Sequence, residues 1–116
     1  MTAPAPELPK NFLAPCILLL LGERPAHGYD LLSRLAGIGL GEPRGKARYA
    51  DSGAVYRTLH RLEGDGLVCS DRARSTGAGR RRMFALTTAG RDELHRCAQG
   101  LSETSRQLEA FDNRYG

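Results

Sequence analysis

The chain has 116 residues, one domain's worth, so a single modest core is expected and any larger buried surface has to come from a partner subunit. Its 17 Lys and Arg against 13 Asp and Glu give a net charge of +4, but the excess is local. Between Arg44 and Arg82 ten basic residues stand against four acids, +6, which leaves −2 for the remainder: either a surface for polyanions or a solvated arginine-rich face. The three cysteines, Cys16, Cys69 and Cys97, are odd in number and lack Cys-x-x-Cys spacing, which argues against a disulfide framework and a structural zinc site and fits a reducing cytoplasm.

Residues 1–10 carry Pro4, Pro6 and Pro9 and read as a flexible arm, because proline removes a backbone donor and pushes the residue before it toward extended conformations. A first helix is predicted from about Asn11 to Leu21, with Pro15 tolerated in its first turn and Gly22 as its stop. Phe12 to Leu21 is too short to span a bilayer, and Gly22-Glu23-Arg24-Pro25 replaces the small-residue cleavage site of a signal peptide. Cys16 to Leu21 is apolar all round, so this helix needs cover on more than one side, which points to a second subunit.

A second helix is predicted over "HGYDLLSRLAG", with Leu31, Leu32 and Leu35 inward and Gly37 ending it. Gly37 to Ala50 then reads as a loop, glycine-rich and basic at Arg44, Lys46 and Arg48, whose cations either reach phosphates or stay in solvent. The third helix is predicted from Asp51 or Ser52, either of which can cap it, and stops around Gly64-Asp65-Gly66. Val55, Leu59 and Leu62 recur at helical spacing and face the core. Leu67 to Arg74 and Arg80 to Leu86 read as two strands joined by Ser75-Thr76-Gly77-Ala78-Gly79, a hairpin carrying Arg72, Arg74, Arg80, Arg81 and Arg82.

A fourth helix is predicted from Thr87 or Thr88, with Asp92 and Glu93 in its first turn, where the helix dipole favours negative charge. Leu94, Leu101, Leu108 and Tyr115 are spaced by sevens, and Cys97, Thr104 and Phe111 follow three residues after the first three, the pattern of a coiled-coil seam. The helix either self-associates or folds back on its own domain. The fold class is therefore mainly α with a small β-hairpin: a flexible arm at 1–10, a winged helix-turn-helix at 11–86 and a C-terminal helix at 87–116.

In that arrangement the third helix enters the major groove of DNA and the ribbon follows the backbone or the neighbouring minor groove. With Val55, Leu59 and Leu62 turned inward, Gly53, Tyr56, Arg57, His60 and Arg61 are left facing outward, and Ser52 at the helix start is expected with them at the DNA. Gly53 and Ala54 are small enough for backbone N–H groups to approach a phosphate. Arg57 and Arg61 can bind guanine edges or hold phosphates. Tyr29 either offers its hydroxyl to a phosphate or packs against the third helix. His95 and Cys97, two apart on a helix, point to different sides and make no metal pair. No cofactor is expected, and the chain holds no glycine-rich phosphate loop, nucleophile elbow or paired carboxylates, so an enzyme is not expected. A basic module docking an acidic protein is the alternative to a DNA-binding protein; a nuclease lacks the acid cluster that would hold its metal.

"HGYDLL" (27–32), "SGAVYRTLHRLEGDGLV" (52–68) and "GRRRMFALTTAG" (79–90), followed by a single C-terminal helix, resemble the PadR family of bacterial transcriptional regulators over nearly the whole chain from Lys10. Within it, "KNFLAPCILLLL", "GAVYRTLHRLEGDGLV" and "LEAFDNRYG" look most like the branch of polyhydroxybutyrate-responsive repressors. The resemblance implies a homodimer that binds a palindromic operator on double-stranded DNA and represses until a small-molecule effector loosens it. Pairing would run through Leu94, Cys97, Leu101, Leu108, Phe111 and Tyr115, with help from Phe12, Ile17 and Leu20. Two departures stand out: Ala54-Val55-Tyr56-Arg57 replaces the family's frequent Thr-Leu-Tyr-Pro, adding a charge at the DNA face, and the basic loop "GEPRGKARYA" lengthens the link into the third helix.

Overall fold

The computed structural model describes residues 12–38, 51–71 and 82–116; the arm at 1–10, the loop at 41–50, and Arg72, Arg74, Arg80 and Arg81 lie outside these residues. The described elements are α1 (Leu13–Glu23), β1 (Ala26–His27), α2 (Gly28–Gly37), α3 (Ser52–Gly64), β2 (Val68–Asp71), β3 (Met83–Leu86) and α4 (Thr88–Tyr115). The architecture is mainly α with a small antiparallel sheet, as expected, but the sheet has three strands, in the order β1-β3-β2. The third is the two-residue β1, where Ala26 pairs with Phe84 and His27 with Met83, so His27 belongs to a strand and not to the second helix. β2 pairs with β3 from Val68↔Leu86 to Asp71↔Met83.

α1 is the centre of the core. Pro15 falls in its first turn, where a missing N–H costs nothing. Leu13, Ala14, Cys16, Ile17, Leu18, Leu20 and Leu21 are all buried, and the cover comes from this chain's own α2, α3, β3 and α4. That corrects the expectation that an all-round apolar helix required a second subunit. Ile17 and Leu20, expected at a dimer face, lie inside the chain's own core and present no surface to a partner; Leu19 faces out instead, 45% exposed, and Phe12 is half-buried. The helix also runs one residue past its expected stop. Gly22 lies inside it, and a β carbon there would approach Leu94 Cδ2 to 3.1 Å, so this glycine serves close packing with α4.

Ile17, Leu18, Leu31, Leu35, Val55, Leu59 and Val68 are the largest fully buried side chains, each contributing about 1.5–3 kcal/mol of transfer free energy. α2 buries Leu31 and Leu35 completely and Leu32 in part. Its Arg34 reaches back to the end of α1, donating to the Leu20 carbonyl at 3.0 Å and pairing with Glu23 at 2.8 Å.

The exit from α3 is a backbone motif that requires glycine. Gly66 sits at φ +78°, Gly66 N–H donates to the Glu63 carbonyl at 3.0 Å and Leu67 N–H to the Leu62 carbonyl at 2.9 Å, the two bonds of a Schellman cap. The start of α4 is fastened to this turn. Thr87 N–H donates to the Leu67 carbonyl at 3.1 Å, and the Thr87 hydroxyl donates to the Gly66 carbonyl at 2.7 Å while accepting from Gly90 N–H at 2.9 Å. A β carbon at Gly90 would lie 2.0 Å from the Leu67 carbonyl oxygen, so the two segments meet backbone to backbone. Thr87 is thus the cap of α4, as expected, whereas Asp92 and Glu93 fall in its second turn, because the helix begins only at Thr88.

Candidate nucleic-acid interface

α3 divides cleanly into two sides. Asp51 caps it, its Oδ1 accepting from Ala54 N–H at 2.8 Å. Val55, Leu59 and Leu62 are buried and clamp the helix to α1, α2 and β2. The opposite side carries Ser52, Gly53, Tyr56, Arg57, His60 and Arg61, all exposed, with Ala54 half-buried between the two sides. Side chains on a helix lean toward its N-terminus, and Arg57 does so: its Nη1 lies 3.1 Å from where a β carbon on Gly53 would stand. Gly53 therefore leaves room for a guanidinium beside the positive end of the helix dipole, a combination suited to phosphate oxygens.

Tyr56 joins this side to α2. Its ring carbons and hydroxyl lie 2.5–2.6 Å from the site of a β carbon on Gly28, so only glycine lets the ring settle on the start of α2. Tyr56 stays 42% exposed and the adjacent Tyr29 66% exposed. The sequence reading offered Tyr29 as either a phosphate contact or a packing residue against the third helix; the packing is done by Tyr56, and Tyr29 points into solvent.

Arg82 is the one hairpin arginine among the described residues, and it is engaged within the chain. Its Nη1 donates to Ser70 Oγ at 3.1 Å and lies 3.7 Å from Glu63 Oε1, while the Ser70 hydroxyl donates to Glu63 Oε2 at 2.7 Å. On its other side His27 Nδ1 meets the Arg82 carbonyl at 3.1 Å, and since a carbonyl only accepts, Nδ1 carries the proton. Arg82 was expected with the other hairpin arginines as a DNA contact; its convergence with Glu63, Ser70 and His27 depends on strand register and leaves no mark in the linear sequence.

On the far side of α1, a wholly apolar cleft of about 130 Å³ lies between Phe12, Cys16 and Leu19 and, from α4, Leu94, Cys97 and Leu101. Burial pushes the Cys16 thiol up to about 11. Burial and the neighbouring Glu93 also raise that of Cys97, whose S–H points at Glu93 Oε2 at 3.7 Å. Beyond Leu101 the predicted seam leaves its own chain: Leu108, Phe111 and Tyr115 are 65%, 71% and 85% exposed, with the Phe111 and Tyr115 rings stacked at 6.4 Å. Among the described residues no three metal-ligating side chains cluster, and no helix is long and apolar enough to cross a membrane.

A capped helix with one polar side, braced by two helices and flanked by a three-stranded sheet, defines the winged helix-turn-helix class. The model of the transcriptional regulator PadR-like family matches residues 17–96, well over half the chain, and the chain belongs to that family, whose members are transcriptional regulators and not enzymes. It is 41% identical over 56 residues to "Transcriptional regulator Rv3488" of Mycobacterium tuberculosis (strain ATCC 25618 / H37Rv); the match covers 48% of this chain, which thus spans about half (51%) of that curated relative. Among solved structures it is similar to a conserved protein, TM0937, described as a potential transcriptional factor, at 30% identity over 93% of this chain and 94% of the other, with a TM-score of 0.74. It shares its fold with a PadR family regulator of Clostridium difficile R20291 (23% identity, 87% and 98% coverage, TM-score 0.69). The same holds for Bacillus subtilis PadR in complex with operator DNA (24% identity, 78% and 48% coverage, TM-score 0.63).

Proposed function

We propose that the chain is a homodimeric, sequence-specific DNA-binding regulator that represses by occupying a palindromic operator and is released by an effector. The observation that carries this reading is the division of α3, which spends Val55, Leu59 and Leu62 on the core and leaves Ser52, Gly53, Tyr56, Arg57, His60 and Arg61 to solvent. In this reading residues 11–86 read DNA, with Tyr29 and the arginines at 72, 74, 80 and 81 on the flanking backbone, and residues 87–116 pair two copies. Leu108, Phe111 and Tyr115 supply an apolar stripe that no described residue covers, on the same helix as Leu94, Cys97 and Leu101, which border the exposed Leu19 of α1. A two-fold axis through that stripe presents two α3 helices to successive turns of a duplex, hence the palindrome. The apolar cleft beside Cys16 and Cys97 is the seat proposed for a small apolar effector. The operator-bound Bacillus subtilis PadR supports the DNA reading through shared fold. The likeness to the polyhydroxybutyrate-responsive branch rests on three short segments and adds no effector class to this proposal.

Selection of duplexes from a random library by the full chain, followed by affinity measurement on the enriched sequence, tests it. Arg57→Ala and Arg81→Ala are expected to weaken binding by about fivefold or more, from the loss of about 1–3 kcal/mol each. Leu108→Asp with Phe111→Asp is expected to yield monomers in sedimentation and to abolish operator binding. Unchanged affinity in both arginine variants, or retention of an acidic protein with no duplex enriched, sinks the reading.

A further inference from the structure

The role of Arg82 follows from strand parity. Phe84 points into the core, so residue 82, two positions earlier and just before β3 begins, shares the inward side of Phe84; Ser70, paired with Phe84, lies on the inner face of β2. Both therefore look toward the last turn of α3, where Glu63 sits two residues beyond Arg61. The three groups bond to one another. The Glu63 carboxylate accepts a hydrogen bond from the Ser70 hydroxyl on Oε2 and faces the Arg82 guanidinium with Oε1; the Ser70 oxygen, while donating to Glu63, accepts from Arg82. The Arg82 backbone is held independently by His27 at the end of β1. One residue thus ties all three strands to the reading helix: β2 through Ser70, β1 through His27, and α3 through Glu63.

The geometry points to Arg82 as a positioning residue: the Glu63–Ser70–Arg82 bridge fixes the β2–β3 pair against the end of α3 and so sets the distance between the phosphates that α3 and the flanking ribbon can engage together. This rests on the DNA-binding reading above and refines it, because it removes Arg82 from the contacting arginines and makes Glu63, an acid beside a basic surface, a contributor to binding. A carboxylate facing a polyanion weakens association when it has no partner of its own. Here the neutralising cation comes from the chain, and the pair is a hinge pin with little net charge.

The test compares Glu63→Gln, Arg82→Gln and the exchanged pair Glu63→Arg with Arg82→Glu, each in the full chain. The probe is the duplex enriched by the wild-type protein; the readouts are affinity over a range of salt concentrations and amide hydrogen exchange of β2 and β3 without DNA. The bridge predicts that both single variants lose about tenfold in affinity and speed exchange across Val68–Asp71 and Met83–Leu86. It also predicts that the salt dependence of Arg82→Gln keeps the wild-type slope, and that the exchanged pair recovers most of both losses. An arginine that itself neutralised a phosphate would take about 0.9 per protomer, about 1.8 for the dimer, from that slope. A lower slope in Arg82→Gln, with Glu63→Gln binding as well as wild type and the exchanged pair binding worst, overturns the proposal. If the wild-type chain enriches no duplex, the DNA reading has failed separately and exchange decides: protection restored by the exchanged pair supports the bridge, and no change in Glu63→Gln removes it.

Discussion

α3 and α4 use their sequences in opposite ways. α3, 13 residues long, has three large aliphatic side chains, and all three are buried; α4 runs to 28 residues, and among those described only Gly90 is buried. A helix of that length with little core beneath it depends on local pairing and on whatever covers its apolar stripe. Local pairing is present in the ion pairs Glu93–Arg96 and Glu103–Arg106, and Thr104 ties its hydroxyl to the Gly100 carbonyl at 3.0 Å. The stripe past Leu101 has no partner within the described chain. The contrast teaches that apolar periodicity marks a surface to be covered without saying by what: in α3 the cover is the chain's own core, and in α4 it is left over.

That contrast can be broken at several points. The largest effect is expected from Leu59→Ala, which empties a fully buried site and should lower the unfolding free energy by about 3–4 kcal/mol in urea titration. Leu108→Ala, measured at dilution, should cost under about 0.5 kcal/mol; similar losses from the two would erase the distinction. Next is Gly90→Ala, expected to cost about 2–3 kcal/mol, since the added methyl collides with the Leu67 carbonyl oxygen and cannot be relieved by rotating a side chain. A neutral result would show that the start of α4 is not pinned.

The smallest effect concerns pH. The Cys16 thiol is raised from the ordinary value of 9.0 to about 11, so the folded state favours the protonated form. Its contribution is complete below pH 9 and is lost as pH rises toward 11. The melting temperature of the wild type should therefore fall more steeply than that of Cys16→Ala across that window. Parallel curves would show that the thiol does not couple to folding.

Much of α3 was legible in the sequence because each signal there is local. Asp51 caps the helix, Val55, Leu59 and Leu62 keep a single period, and Gly66 supplies the left-handed turn. α1 was legible as a helix but not in its orientation: with every position from Cys16 to Leu21 apolar, no stripe distinguishes Ile17 and Leu20, which face inward, from Leu19, which does not. β1 is two residues long, too short for any alternation, and exists only because β3 offers it an edge. The Glu63–Ser70–Arg82 convergence spans nineteen positions and arises from register and strand parity, which no linear spacing encodes.

Gly90 has one more consequence. Where helices are separated by side chains, one can tilt while rotamers between them absorb the movement; here peptide lies against peptide, with Thr87 bonded to both sides of the contact. The joint has no compliant layer. A 28-residue helix is about 42 Å long, so a rotation of ~5° at that joint corresponds to nearly 4 Å of travel at Tyr115. Read in reverse, a modest push on the tip of α4 acts with a long moment arm on the turn that closes α3.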